Sequence, residues 1–194
     1  MKAWIATALL VATAASAQAA TTWNEASDGD LANSGLAPTP LTFAVGHNTV
    51  LGTTGNPGNG VDRDYFRFTV PAGAVLSELW LLPNTSISGG SSFFGIQAGP
   101  QLTVTPTGGG IEAFYGFNHY DNSMVGNNIL VAMVGAGKAP IPAGTYSVWV
   151  QETGGPASYG LDFVITQVPE PATVLSLGFG LLGLACRRFV LQRR

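Results

Sequence analysis

From Asp64 to Val70 apolar and polar side chains alternate: Phe66, Phe68 and Val70 share one face, and Tyr65, Arg67 and Thr69 share the other. That is the period of a strand with one buried side. Pro71-Ala72-Gly73 ends the run, because proline has no N–H to donate and glycine permits turn geometry. Short runs rich in β-branched and aromatic residues at 76–82, 93–97, 112–117 and 129–134 predict further strands. Residues 145–151 and 159–166 predict a hairpin across Thr153-Gly154-Gly155-Pro156-Ala157. No helical period appears between the two ends of the chain. Short strands at this spacing predict an all-β fold, a single antiparallel β-sandwich over residues 21–167.

The two ends break this pattern. Met1-Lys2 gives a basic start, Ile5 to Ala15 an apolar stretch, and Ala17-Gln18-Ala19 a small-x-small site. Residues 1–20 therefore read as a secretory signal peptide, cut by signal peptidase after Ala19 or Ala20. At the other end, residues 168–194 form a tail of three parts. Pro169 and Pro171 fix their own φ and push Val168 and Glu170 into extended geometry. Ala172 to Cys186 is an uncharged run of 15 residues, which as a helix spans about 22 Å. Phe189, Val190 and Leu191 can lengthen it toward the ~30 Å of a hydrocarbon core while arginines snorkel to the headgroups. Arg187-Arg188 and Arg193-Arg194 place its far end on the cytoplasmic side. The expected precursor crosses the membrane once, with residues 21–167 outside.

Val168-Pro169-Glu170-Pro171-Ala172-Thr173, the Leu/Gly-rich helix and Arg187-Arg188 resemble the PEP-CTERM sorting tail of Gram-negative, exopolysaccharide-producing bacteria. The resemblance implies recognition of Pro169, Glu170 and Pro171 by an exosortase, with Arg187 and Arg188 as the basic stop. It also implies an inner-membrane intermediate and a final place at the cell surface or in the extracellular matrix.

Charge changes the picture once both ends are set aside. Between residues 20 and 168 the basic side chains are Arg63, Arg67 and Lys138, against ten acidic ones, a formal charge of −7. That disfavours nucleic acid and anionic polymers as partners, since phosphates need cationic side chains, and leaves room for calcium; no nucleic-acid partner is expected. The only cysteine, Cys186, lies in the apolar run. A thiol nucleophile, a cysteine zinc site and a disulfide are thereby excluded from the exported part.

Asp62-x-Asp64-Tyr65-Phe66-x-Phe68-x-Val70-Pro71-Ala72-Gly73, Pro142-Ala143-Gly144-Thr145-Tyr146-x-Val148-x-Val150 and Tyr159-Gly160-Leu161-x-Phe163 resemble the bacterial pre-peptidase C-terminal domain. The resemblance implies a jelly-roll-like sandwich with an accessory or binding role rather than a catalytic one. Residues 88–137 depart from that pattern.

Candidate chemistry is sparse. His47 reads as a turn residue, and His119 as a loop residue that Asp121 could orient. There is no Gly-x-Ser-x-Gly elbow, no His-Glu-x-x-His and no phosphate loop. Asp28-Gly29-Asp30 and Asp62-Arg63-Asp64 each hold two carboxylates two residues apart. Calcium takes six to eight oxygens, so Asp28, Asp30, Asp62 and Asp64 form a metal site if the loops converge. The plainer reading has these aspartates capping turns and Arg63 neutralising its neighbours. Trp80 and Trp149, in strands, are expected to fill the core, while Trp23 and Tyr120 are the candidates for exposure and for stacking on exopolysaccharide. The function expected is an exported, non-enzymatic protein binding glycan, calcium or protein. A secreted polysaccharide hydrolase or lyase with a carboxylate site is the alternative.

Overall fold

A computed structural model of the chain describes residues 20–56, 58 and 60–169. Most of the expected runs become strands: β4 (Arg63–Val70), β5 (Ala74–Leu81), β6 (Ser92–Ala98), β7 (Phe114–Tyr120), β8 (Gly144–Gln151) and β9 (Ala157–Gln167). Three more precede them, β1 (Ala20–Asn24), β2 (Thr39–Pro40) and β3 (Gly46–Thr54). One sheet has the order β1-β3-β9-β5 and the other β2-β4-β8-β6-β7. Their inward faces share a core, with Val50, Leu79 and Phe163 from the first and Phe66, Phe94 and Val148 from the second. Phe66 meets Phe163 edge-on across the gap at 5.9 Å. The chain is all-β in its architecture, as its alternation predicts.

Three expectations need correction. The sheets are mixed rather than antiparallel, because the chain's first strands run parallel to their neighbours, β1 beside β3 and β2 beside β4. These edge segments are too short or irregular to announce a direction in the sequence. Strands β8 and β9 are not a hairpin: β8 pairs with β4 and β6, β9 with β3 and β5. Each is central in its own sheet with both edges taken, so the glycine-rich link between them crosses from sheet to sheet. Residues 129–134 are not a strand but lead into a short helix, α2 (Leu130–Val134). Leu130, Met133 and Val134 are buried and Val131 exposed, a helical spacing hidden in a run that is apolar throughout. A single 3₁₀ turn (Ile111–Ala113) also replaces the start of the run expected at 112–117.

A second, smaller cluster of Tyr65, Leu102, Val104, Phe114 and Trp149 sits apart from the main core. All nine strands and both clusters lie between Ala20 and Gln167, so this portion has its own core. Among the described residues no helix is long and apolar enough to cross a membrane. The signal segment, apart from Ala20, and the tail helix lie outside the described residues. Ala20 itself opens β1 opposite Asn48.

Candidate functional site

Asp64 has the parity of Phe66, Phe68 and Val70, so the pleat turns it to the core side of β4. It is fully buried, and neither of its carboxylate oxygens has a hydrogen-bond partner among the described residues. The Tyr159 hydroxyl, on β9, lies close enough to act on Asp64 but outside hydrogen-bond geometry, and is itself unpartnered. Gly52 on β3 gives that ring its space, since a Cβ there would fall 2.5 Å from the Tyr159 oxygen.

Two further carboxylates converge on Asp64 from the start of the described chain. Glu25 opens α1 (Glu25–Asp28), which Asn24 caps through its side-chain oxygen. The Glu25 carboxylate accepts the Leu31 N–H at 3.1 Å on one oxygen and the Thr53 N–H at 2.7 Å on the other. Oxygens of Glu25, Asp30 and Asp64 lie within 4.8 Å of one another. Asp62 is close enough for its charge to act on Asp64. Burial first, then the Glu25 charge, push the Asp64 carboxyl up to about 9; Tyr159 pulls the other way, and Asp62 and Asp30 each add less than it removes. Burial also raises Glu25, with its backbone bonds opposing and Asp30 adding. Asp62 rises through burial and the Asp30 charge. Arg63 does not relieve this repulsion, for its Nε donates to the Gln151 carboxamide at 2.6 Å and its Nη1 to the Val61 carbonyl at 3.2 Å.

Of the four aspartates expected to gather, the fold brings together Asp30, Asp62 and Asp64. Asp28 stays apart, accepting the Asn24 N–H at 2.8 Å and so tying the start of α1. Glu25 takes its place, a residue that sequence reasoning missed although it shares the acidic stretch with Asp28 and Asp30. Three close carboxylates with a fourth beside them, one lacking any donor, are the chemistry of a hard divalent cation.

Other residues settle differently from their expectations. His47 is a β3 residue rather than a turn residue, and its Nδ1 lies 2.6 Å from Asp162 Oδ2. The Asn48 N–H holds the other Asp162 oxygen at 3.1 Å. No hydroxyl or thiol is hydrogen-bonded to this imidazole among the described residues. His119 lies exposed on β7, edge-on to Phe93 at 5.6 Å. Asp121 does not orient it, being engaged with Ser123. Tyr120, expected at the surface, is buried. Trp80 is half-buried on the outer face of its sheet, its indole donating to Glu78 at 2.6 Å; a register shift between Leu76 and Glu78 directs Leu79 and Leu81 inward instead. Trp149 is buried as expected, though in the smaller cluster. Trp23 is half-buried against the main core.

Beyond β9 the Val168 N–H bonds the Gly73 carbonyl at 2.8 Å, and Pro169 is exposed. Residues 167–188 match the family described as the PEP-CTERM protein-sorting motif. The chain carries a PEP-CTERM sorting motif. That motif marks it as an exported substrate of an exosortase. No curated protein and no solved structure matches the chain. Glu170, Pro171, Arg187 and Arg188 of the PEP-CTERM tail, and Ala17 and Ala19 of the signal segment, lie outside the described residues.

Proposed function

We propose that this PEP-CTERM protein is a non-catalytic component of the cell surface or extracellular matrix of a Gram-negative bacterium. Its sandwich binds a calcium ion through Glu25, Asp30, Asp62 and Asp64. Signal peptidase removes residues 1–20, the tail helix holds the chain at the inner membrane, and exosortase cuts beside Pro169, Glu170 and Pro171. The observation that carries the calcium reading is Asp64, buried with no donor on either oxygen and with carboxylates for neighbours. An ionised carboxylate in that position needs a cation. A bound ion ties α1 to β4, pinning the start of the domain to the sandwich.

The same geometry disfavours a hydrolase built on this cluster. Asp64 has no exposed surface, so it offers a polysaccharide nothing to touch, whereas an ion is small enough to enter among the carboxylates. The resemblance to accessory sandwiches and the absence of a nucleophile on His47 among the described residues support the same reading.

Residues 21–168, stripped with EDTA and titrated with calcium chloride in a calorimeter, test it. Binding heat is expected, together with a rise in Tm on the order of 5 °C at about 100-fold excess over Kd. Asp30→Asn and Asp64→Asn each remove both signals. If calcium moves neither heat nor Tm in the unsubstituted protein, the calcium reading is wrong.

A further inference from the structure

On the five-stranded sheet, register sets His119, Phe93 and Gln151 side by side across β7, β6 and β8, and sets Phe117, Gly95 and Trp149 in the next row. Segment 104–111 stands beside these rows and encloses a hollow of about 200 Å³, with Phe93, Phe114, Phe117 and Trp149 as its aromatic walls. Gly95 is needed there, since a Cβ would fall 2.5 Å from the Phe114 ring. Phe117, at 46% exposure, opens one side of the hollow to solvent, and the exposed Ile111 lies on its rim.

Three features narrow the occupant. No lining side chain is a carboxylate, lysine or arginine, so the hollow holds no permanently charged partner for an acidic sugar such as a uronate. Its polar groups are nonetheless specific. Arg63 donates to the Gln151 carboxamide oxygen; the amide N–H₂ of Gln151, which lines the hollow with His119, has no partner among the described residues. The Trp149 indole N–H, buried in the inner wall, has no acceptor among the described residues. A purely apolar occupant leaves these donors unused. Aromatic faces beside neutral donors instead suit a ring with apolar faces and hydroxyl edges, and the volume lies below the ~300 Å³ at which drug-sized pockets begin.

We propose that this hollow on the five-stranded sheet binds one pyranose ring of a neutral polysaccharide, stacked on Phe117 and Phe93 and hydrogen-bonded by Gln151 and His119. The site shares no residue with the carboxylate cluster and does not depend on calcium.

Residues 21–168 are titrated with cellohexaose, mannohexaose, xylohexaose and chitohexaose, following tryptophan emission and calorimetric heat. Trigalacturonate serves as a charged counterpart and N-phenyl-1-naphthylamine, a neutral dye, as an apolar one. At least one neutral hexasaccharide is expected to saturate with Kd of about 1 mM or tighter. Phe117→Ala and His119→Ala each weaken it at least about tenfold, Phe117→Tyr restores it, and the unfolding transition of each variant stays cooperative and well above the titration temperature. EDTA leaves the affinity unaltered. The proposal is overturned if no neutral sugar binds, including the case in which only the dye or the charged sugar does. It is overturned equally if sugar binding survives Phe117→Ala.

Discussion

Asp64 stands where the alternation of β4 would put a core hydrophobe, and its titration follows from that position. Unfolded, an aspartate ionises near ~3.9; in the fold this one is pushed up to about 9. Between those values the native state keeps a proton that the unfolded chain has released, so stability of the metal-free protein falls as pH rises. Glu25 and Asp62, also raised, act in the same direction. In EDTA, Tm is therefore expected to decline from pH 5 to pH 9, and saturating calcium to remove the decline because the ion displaces the proton. Asp64→Asn should flatten the profile too, gaining on the order of 2 kcal/mol at pH 8 in EDTA. Thermal scans across that range check the sign, and a Tm that climbs with pH in EDTA would refute it. The burial of Asp64 was legible in the sequence, as its parity with Phe66 and Phe68 shows. Its neighbours were only partly so, because Glu25 reaches it through a fold of the chain that no local pattern encodes. The outward, half-buried position of Trp80 and the burial of Tyr120 were not legible either, since each depends on a register or a covering segment set by other strands.

At the scale of elements, alternation located strands well and partners poorly. Thr145 to Gln151 and Tyr159 to Thr166 are strands in both readings, yet pairing depends on which edges remain free, and β4, β6, β3 and β5 occupy them all. Uniformly apolar runs carry no period to read, which is how α2 passed for a strand. What fixes α2 is its close approach to β7 at Gly116. A Cβ at Gly116 would collide with the Val134 backbone and the Met133 carbonyl, atoms that cannot swing aside as a side-chain tip can. Gly116→Val is expected to cost about 1–3 kcal/mol through this overpacking. Gly137→Ala, where nothing lies within 4 Å of the added carbon, should leave stability within about 0.5 kcal/mol. Urea unfolding of the two variants measures the difference, and equal midpoints would remove the packing argument.

Over the whole molecule, the strand directions separate the candidate sites from the tail. Strand β9 starts at Ala157 opposite Thr54 and passes Ile165 opposite Gly46 on its way to Gln167, roughly 33 Å along at about 3.3 Å per residue. Asp64 pairs with Val150 near the end of β8, and Gln151 pairs with Phe93. The carboxylate cluster and the aromatic hollow therefore both lie at the end of the sandwich where β9 begins, and the sorting motif follows the end where it stops. That motif starts at residue 167, the last residue of β9, so fold and processing signal abut. From Gln167 to Ala172 the chain can reach at most about 18 Å, which holds the tail-side end of the sandwich close to the proposed membrane segment and turns both candidate sites outward. On the proposed anchoring, an exosortase acting at Pro169-Glu170-Pro171 works in the narrow space between a folded domain and a bilayer. Inserting six Gly/Ser residues between Val168 and Pro169 is expected to speed processing several-fold, while Pro169→Ala with Pro171→Ala blocks it. Pulse-chase labelling of the precursor in a host that encodes the exosortase reads both outcomes. An unchanged rate after the insertion would mean that the sandwich does not crowd the cleavage site, and would remove the close approach to the membrane from which the outward orientation is argued.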